Sequence, residues 1–87
     1  MKSVKLIITG DVTLVGFRYF IRENAIKLNL KGYVRNIQDK VEVIFEGQEE
    51  NVNKMIELCK KGPTFSKVTN VEINELNSQG FTTFEIR

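Results

Sequence analysis

Histidine is missing from this 87-residue chain, and cysteine occurs once, at Cys59. Without an imidazole there is no histidine base or nucleophile, so the hydrolases that depend on one are excluded. A lone cysteine excludes an internal disulfide and, with no histidine beside it, the usual Cys/His metal sites. Cys59 falls on the apolar stripe of a predicted helix, where it reads as a small buried hydrophobe and not as a reactive thiol. Long apolar runs are missing too, which excludes a helical membrane span. Met1-Lys2-Ser3-Val4 leads straight into a strand pattern with no signal-peptide core or cleavage site, so the expected compartment is the cytoplasm. Charge is not blocked either: 13 Lys and Arg against 11 Asp and Glu give a net +2 spread along the chain. Such a field attracts anions mildly but is no polyanion footprint, so nucleic acid is not an expected partner.

What is there is an ordinary globular composition, 41% hydrophobic and 28% charged, with length enough for one modest core. Residues 1–87 are therefore read as one domain. Val4 to Thr9 alternates as a central strand. Phe17, Phe20, Ile21, Ala25 and Leu28 recur at helical spacing over about three turns, and Lys31-Gly32 is the expected stop. Tyr33–Ile37 and Lys40–Glu46 are strands around a Gln38-Asp39 turn, which predicts a hairpin. In the second of them Val41, Val43 and Phe45 share one face and Glu42, Ile44 and Glu46 the other, so one side of the sheet is expected to be solvated. A second helix opens on Gly47, Glu49 and Glu50, carries the stripe Val52, Met55, Ile56 and Cys59, and ends at Lys60-Lys61-Gly62-Pro63. Val68, Val71 and Ile73 cannot share a face without a bulge near Asn70. Asn77–Gly80 reads as a turn, and Phe81–Arg87 as a last strand with Phe84 and Ile86 inward. This doubled strand-helix-strand order predicts a ferredoxin-like split βαβ sandwich of the α+β class, an antiparallel sheet with both helices on one face.

The stretch of interest is Gly10-Asp11-Val12-Thr13-Leu14-Val15-Gly16-Phe17-Arg18, a strand running through a loop into a helix. Backbone N–H groups and the helix dipole converge there on a point suited to an anion, and Arg18 adds a fork of donors matched to phosphate oxygens. The plainer alternative is that Gly10 ends a strand, Phe17 is core and Arg18 is a solvated charge. Asn36, near the end of the second strand, could hold a water beside a bound anion, or could merely bond its own turn.

Taken with Gly32-Tyr33-Val34-Arg35-Asn36, Val41-Glu42-Val43, Glu46-Gly47, Lys61-Gly62-Pro63 and Phe84-Glu85-Ile86, the Gly10-x-Val12-x-x-Val15-Gly16-Phe17-Arg18 stretch resembles the acylphosphatase family over nearly the whole chain. The resemblance implies hydrolysis of carboxyl-phosphate anhydrides of small acyl phosphates, on a ferredoxin-like fold, with no metal or other cofactor. It implies Arg18 as the phosphate-binding arginine, Asn36 as the residue orienting the attacking water, and the backbone of Asp11, Val12, Thr13, Leu14, Val15 and Gly16 as the phosphate loop. Inorganic phosphate or sulfate would be site ligands, and a monomer is expected.

The chain departs from the family at three places. Thr13-Leu14 stands where the family usually has Gln-Gly, and a leucine held at positive φ would cost about 1–3 kcal/mol or mis-aim the loop amides. Asp11 occupies a position often basic in the family, and the Gln38-Asp39 turn is tighter than usual. A second reading follows: a catalytically weakened acylphosphatase-like domain that binds an anion or a partner because Thr13-Leu14 has spoiled the loop. An RNA-binding module of similar topology would need aromatic side chains on the open sheet face, where this chain has Glu42 and Glu46.

Overall fold

The computed structural model describes residues 1–87, the side chain of Val15 excepted. Strand β1 (Lys2–Asp11) leads to helix α1 (Val15–Lys27), then to β2 (Lys31–Ile37) and β3 (Lys40–Gly47). Helix α2 (Glu49–Lys61), β4 (Lys67–Leu76) and the short β5 (Phe84–Ile86) complete the chain. The sheet order is β4-β1-β3-β2-β5, so β1 and β3 form its middle. The four longer strands pair antiparallel, while β5 adds to β2 in parallel. Val4, Leu6 and Ile8 of β1, Val41, Val43 and Phe45 of β3, and Val34 of β2 are fully buried with Phe17, Ile21 and Ala25 of α1 and Val52, Met55 and Cys59 of α2. Both apolar helix stripes thus lie on one face of the sheet, as the periodicity predicts.

Helix α1 ends earlier than expected, because Asn29 and not Gly32 takes the left-handed turn. Asn29 has φ 56°, its N–H donates to the Ile26 carbonyl at 3.0 Å, and the Leu30 N–H donates to Ala25 at 2.8 Å. This is a Schellman closure, with Leu30 buried beyond it. Asparagine tolerates that backbone region better than most residues, which is why it serves. Gly32 instead lies inside β2, where a Cβ would meet the Ile44 carbonyl oxygen at 1.8 Å. Helix α2 does end as read, at Gly62 with φ 68°.

The expected bulge is present. Thr9 pairs with Asn70 and Gly10 with Val68, so Thr69 is left over. The extra residue brings Val68 back to the helix side, where it and Val71 pack on the core. Gly10 permits this with φ 136°, in a place where a Cβ would stand 2.1 Å from the Lys67 carbonyl oxygen.

The second face of β3 differs from expectation. Glu42, Ile44 and Glu46 are each no more than 9% exposed. Glu42 Oε1 accepts from Tyr33 Oη at 2.9 Å and from Arg35 Nε at 2.7 Å, while Lys5 Nζ lies 3.6 Å from Oε2. Glu46 accepts from the backbone N–H groups of Gln79, Gly80 and Phe81, at 2.8, 3.0 and 3.1 Å. The loop before β5 thereby caps an outer face that alternation alone assigns to solvent. On the helix surfaces Glu23 pairs with Arg22, Glu50 with Lys54 and Glu57 with Lys60.

Candidate active site

The loop leaves the sheet at Asp11, beside Lys67 of β4, and enters α1 at Val15. Val12 is fully buried and anchors the loop from below, while Asp11, Thr13 and Leu14 are exposed. Leu14 is the residue before the helix, with φ −66° and ψ 144°. That is ordinary extended backbone, so the strain expected of a leucine replacing a glycine is absent. Its carbonyl accepts the Phe17 N–H at 3.0 Å, closing the first turn. Among the described residues the N–H groups of Thr13, Leu14 and Gly16 donate to no protein acceptor. These are the orphan donors that a helix start leaves for solvent or a ligand.

Arg18 belongs to the first turn of α1, next to buried Phe17. Its Nε is buried and has no hydrogen-bond partner. Asn36 comes from the other side. It lies two residues beyond Val34 on β2 and pairs with Val41 of β3, so strand alternation puts it on the helix-covered face. Its Nδ2 donates to the Thr13 carbonyl at 3.2 Å, which ties the end of β2 to the loop across 23 residues of sequence. That bond orients the amide and leaves Oδ1 buried and unpartnered. Arg18 Nε and Asn36 Oδ1 are two of the three buried side-chain polar atoms without a partner among the described residues. A buried donor and a buried acceptor left open beside free loop amides suit an anion together with a water.

Cys59 is no rival nucleophile. It is fully buried under α2, and burial pushes its thiol up to about 12.

The acylphosphatase family model matches residues 4–86. The chain belongs to the acylphosphatase family. An acylphosphatase from Methanocella arvoryzae is 41% identical over 88 residues, covering all of both chains. In structure the chain is similar to an acylphosphatase from Bacillus subtilis, with TM-score 0.94, 39% identity and coverage of 100% and 99% of the two chains. One from Coxiella burnetii gives TM-score 0.94 at 28% identity, covering 99% of this chain and 92% of that one. The ferredoxin-like fold read from the strand and helix pattern is therefore the acylphosphatase fold.

Sequence reasoning selected Arg18, Asn36 and the 11–16 loop, and the fold brings Asn36 and Thr13 into direct contact. It missed the role of the Thr13 carbonyl, which faces a strand far away in sequence. It also missed Phe65, in the turn between α2 and β4, whose ring lies against Gly16: a Cβ on Gly16 would stand 2.9 Å from Phe65 Cζ. No spacing rule links residues 16 and 65.

Proposed function

We propose that this acylphosphatase hydrolyses the carboxyl-phosphate bond of small acyl phosphates at the 11–18 loop, with Arg18 holding the phosphoryl group and Asn36 the attacking water. The observation that carries the site assignment is the pair of unpartnered buried atoms, Arg18 Nε and Asn36 Oδ1, beside loop amides that have no protein acceptor. The guanidinium and the amides of Asp11 to Gly16 bind the phosphoryl oxygens and stabilise the charge that develops on them. Asn36 Oδ1 accepts a hydrogen bond from the water and so points the water oxygen at phosphorus. The water oxygen then bonds to phosphorus as the bond to the acyl oxygen breaks, and the carboxylate leaves with that electron pair. The water's proton passes to a phosphoryl oxygen of the substrate, so no side-chain base is needed. Positioning and charge stabilisation together supply the rate. Residues 1–87 then act as one catalytic domain, read here as a monomeric cytoplasmic enzyme with inorganic phosphate or sulfate as competing site ligands.

The test is hydrolysis of benzoyl phosphate in the presence of a chelator, with Arg18→Gln as comparison. Wild-type turnover should persist in chelator, and Arg18→Gln should lower kcat/KM at least about a hundredfold. An Arg18→Gln protein that is folded and still turns over normally overturns the mechanism.

A further inference from the structure

The fold also places something where the acyl group must go. In an in-line displacement at phosphorus the water enters on one side and the carboxylate leaves on the other. Asn36, which holds the water in the function proposed above, sits on β2, on the β3 side of β1. The opposite flank of the loop is the β4 side, because β4 borders β1 on its other edge and Lys67 pairs with Asp11. The residue standing there is Phe65.

Phe65 is 54% exposed although its ring lies against the backbone of Gly16, and a methyl on Gly16 would approach Phe65 Cζ to 2.9 Å and Cε1 to 3.3 Å. Glycine at position 16 lets that ring close onto the loop. The turn presenting it is held by the Ser66 N–H and Ser66 Oγ, which donate to the Pro63 carbonyl at 3.0 and 2.8 Å. Leu14, 56% exposed at the helix entrance, adds a second apolar side chain to the same loop. Two large apolar side chains left open to solvent beside free phosphate-binding donors make a surface that a ligand's apolar part can cover.

We propose that Phe65 determines acyl-group specificity: its exposed face receives the acyl moiety on the side opposite Asn36, so the chain prefers acyl phosphates with aromatic or bulky apolar acyl groups. The proposal rests on the active-site reading above and deepens it. Ring contact of this kind strengthens binding of an aromatic partner and leaves a methyl nearly unaffected.

The experiment measures kcat/KM for benzoyl phosphate and acetyl phosphate, and inhibition by inorganic phosphate, in the wild type, Phe65→Ala and Phe65→Leu. Wild type should favour benzoyl phosphate. Phe65→Ala should reduce the benzoyl-to-acetyl ratio by about tenfold, Phe65→Leu by less, and neither should shift phosphate inhibition. An unchanged ratio in Phe65→Ala overturns the acyl role, and so does an equal loss on both substrates. A wild-type chain that hydrolyses neither substrate overturns the catalytic reading itself, an outcome distinct from failure of the Phe65 role alone.

Discussion

Leu14 is the residue on which the two sequence-based readings divide. A leucine forced into glycine's backbone region would damage the loop, and the weakened-domain reading depends on that damage. At φ −66° and ψ 144° Leu14 needs no such region, and among the described non-glycine residues Asn29 and Gln38 alone have positive φ. The premise of the weakened domain is therefore gone. Leu14→Gly should leave kcat/KM for benzoyl phosphate within about twofold and lower stability by about 0.5 kcal/mol, since glycine frees the unfolded chain and removes no strain here. A large gain in activity on this substitution, measured beside urea unfolding, would return the weakened-loop reading to favour. Spacing left Arg18 as readily a solvated charge and Asn36 as readily a strand-end amide, and it was the resemblance to the acylphosphatase family that singled them out. Their open atoms were not legible, since whether Nε or Oδ1 finds a partner depends on every neighbour the fold supplies.

The β1–β4 bulge links the sheet to the loop. Odd spacing between Val68 and Val71 announced an irregularity near Asn70, and Thr69 is the residue left unpaired. What spacing could not disclose is its dependence on Gly10, whose φ of 136° and contact with the Lys67 and Thr69 backbone belong to the partner strand. A Cβ at 2.1 Å from a carbonyl oxygen cannot be absorbed by a rotamer change, so the strands must separate. Gly10→Ala should cost about 3 kcal/mol, from the combined strain and clash, and should shift the loop that begins one residue later. The urea midpoint should fall at an unchanged slope, and activity should fall in the fraction that remains folded. Unchanged stability would mean that the bulge yields without cost. The helix stops show the same division. Gly62 was readable because glycine after two lysines is a common terminator, while the Asn29 closure was hidden by Gly32, a glycine that the neighbouring strand requires.

Over the whole molecule, the largest departure from the sequence pattern is that the sheet's second face is closed by two buried carboxylates. Alternation along β3 marked Glu42 and Glu46 as outward, which they are, but could not foresee that Tyr33, Arg35, Lys5 and the 79–81 backbone converge on them. Burial pushes the Glu42 carboxyl up, but the hydrogen bonds from Arg35 and Tyr33 and the charges of Arg35 and Lys5 outweigh it and hold the group below its ordinary 4.5. For Glu46 burial again acts upward and is outweighed, chiefly by the hydrogen bond from the Gln79 N–H with those from Phe81 and Gly80. A carboxylate whose folded pKa is depressed contributes stability that is present above its unfolded pKa and lost as pH falls through the folded one. The unfolding free energy should therefore hold through neutral pH and decline below about pH 4.5 as both groups protonate. Replacing both by glutamine should lower stability at neutral pH by about 3 kcal/mol, since each carboxylate accepts several bonds, and should flatten the acid decline. Urea unfolding at several pH values between neutral and 3 reads both effects. Curves for wild type and double variant that run parallel into acid would show that these two carboxylates do not hold the outer face, and that the loop before β5 is secured by its apolar contacts alone.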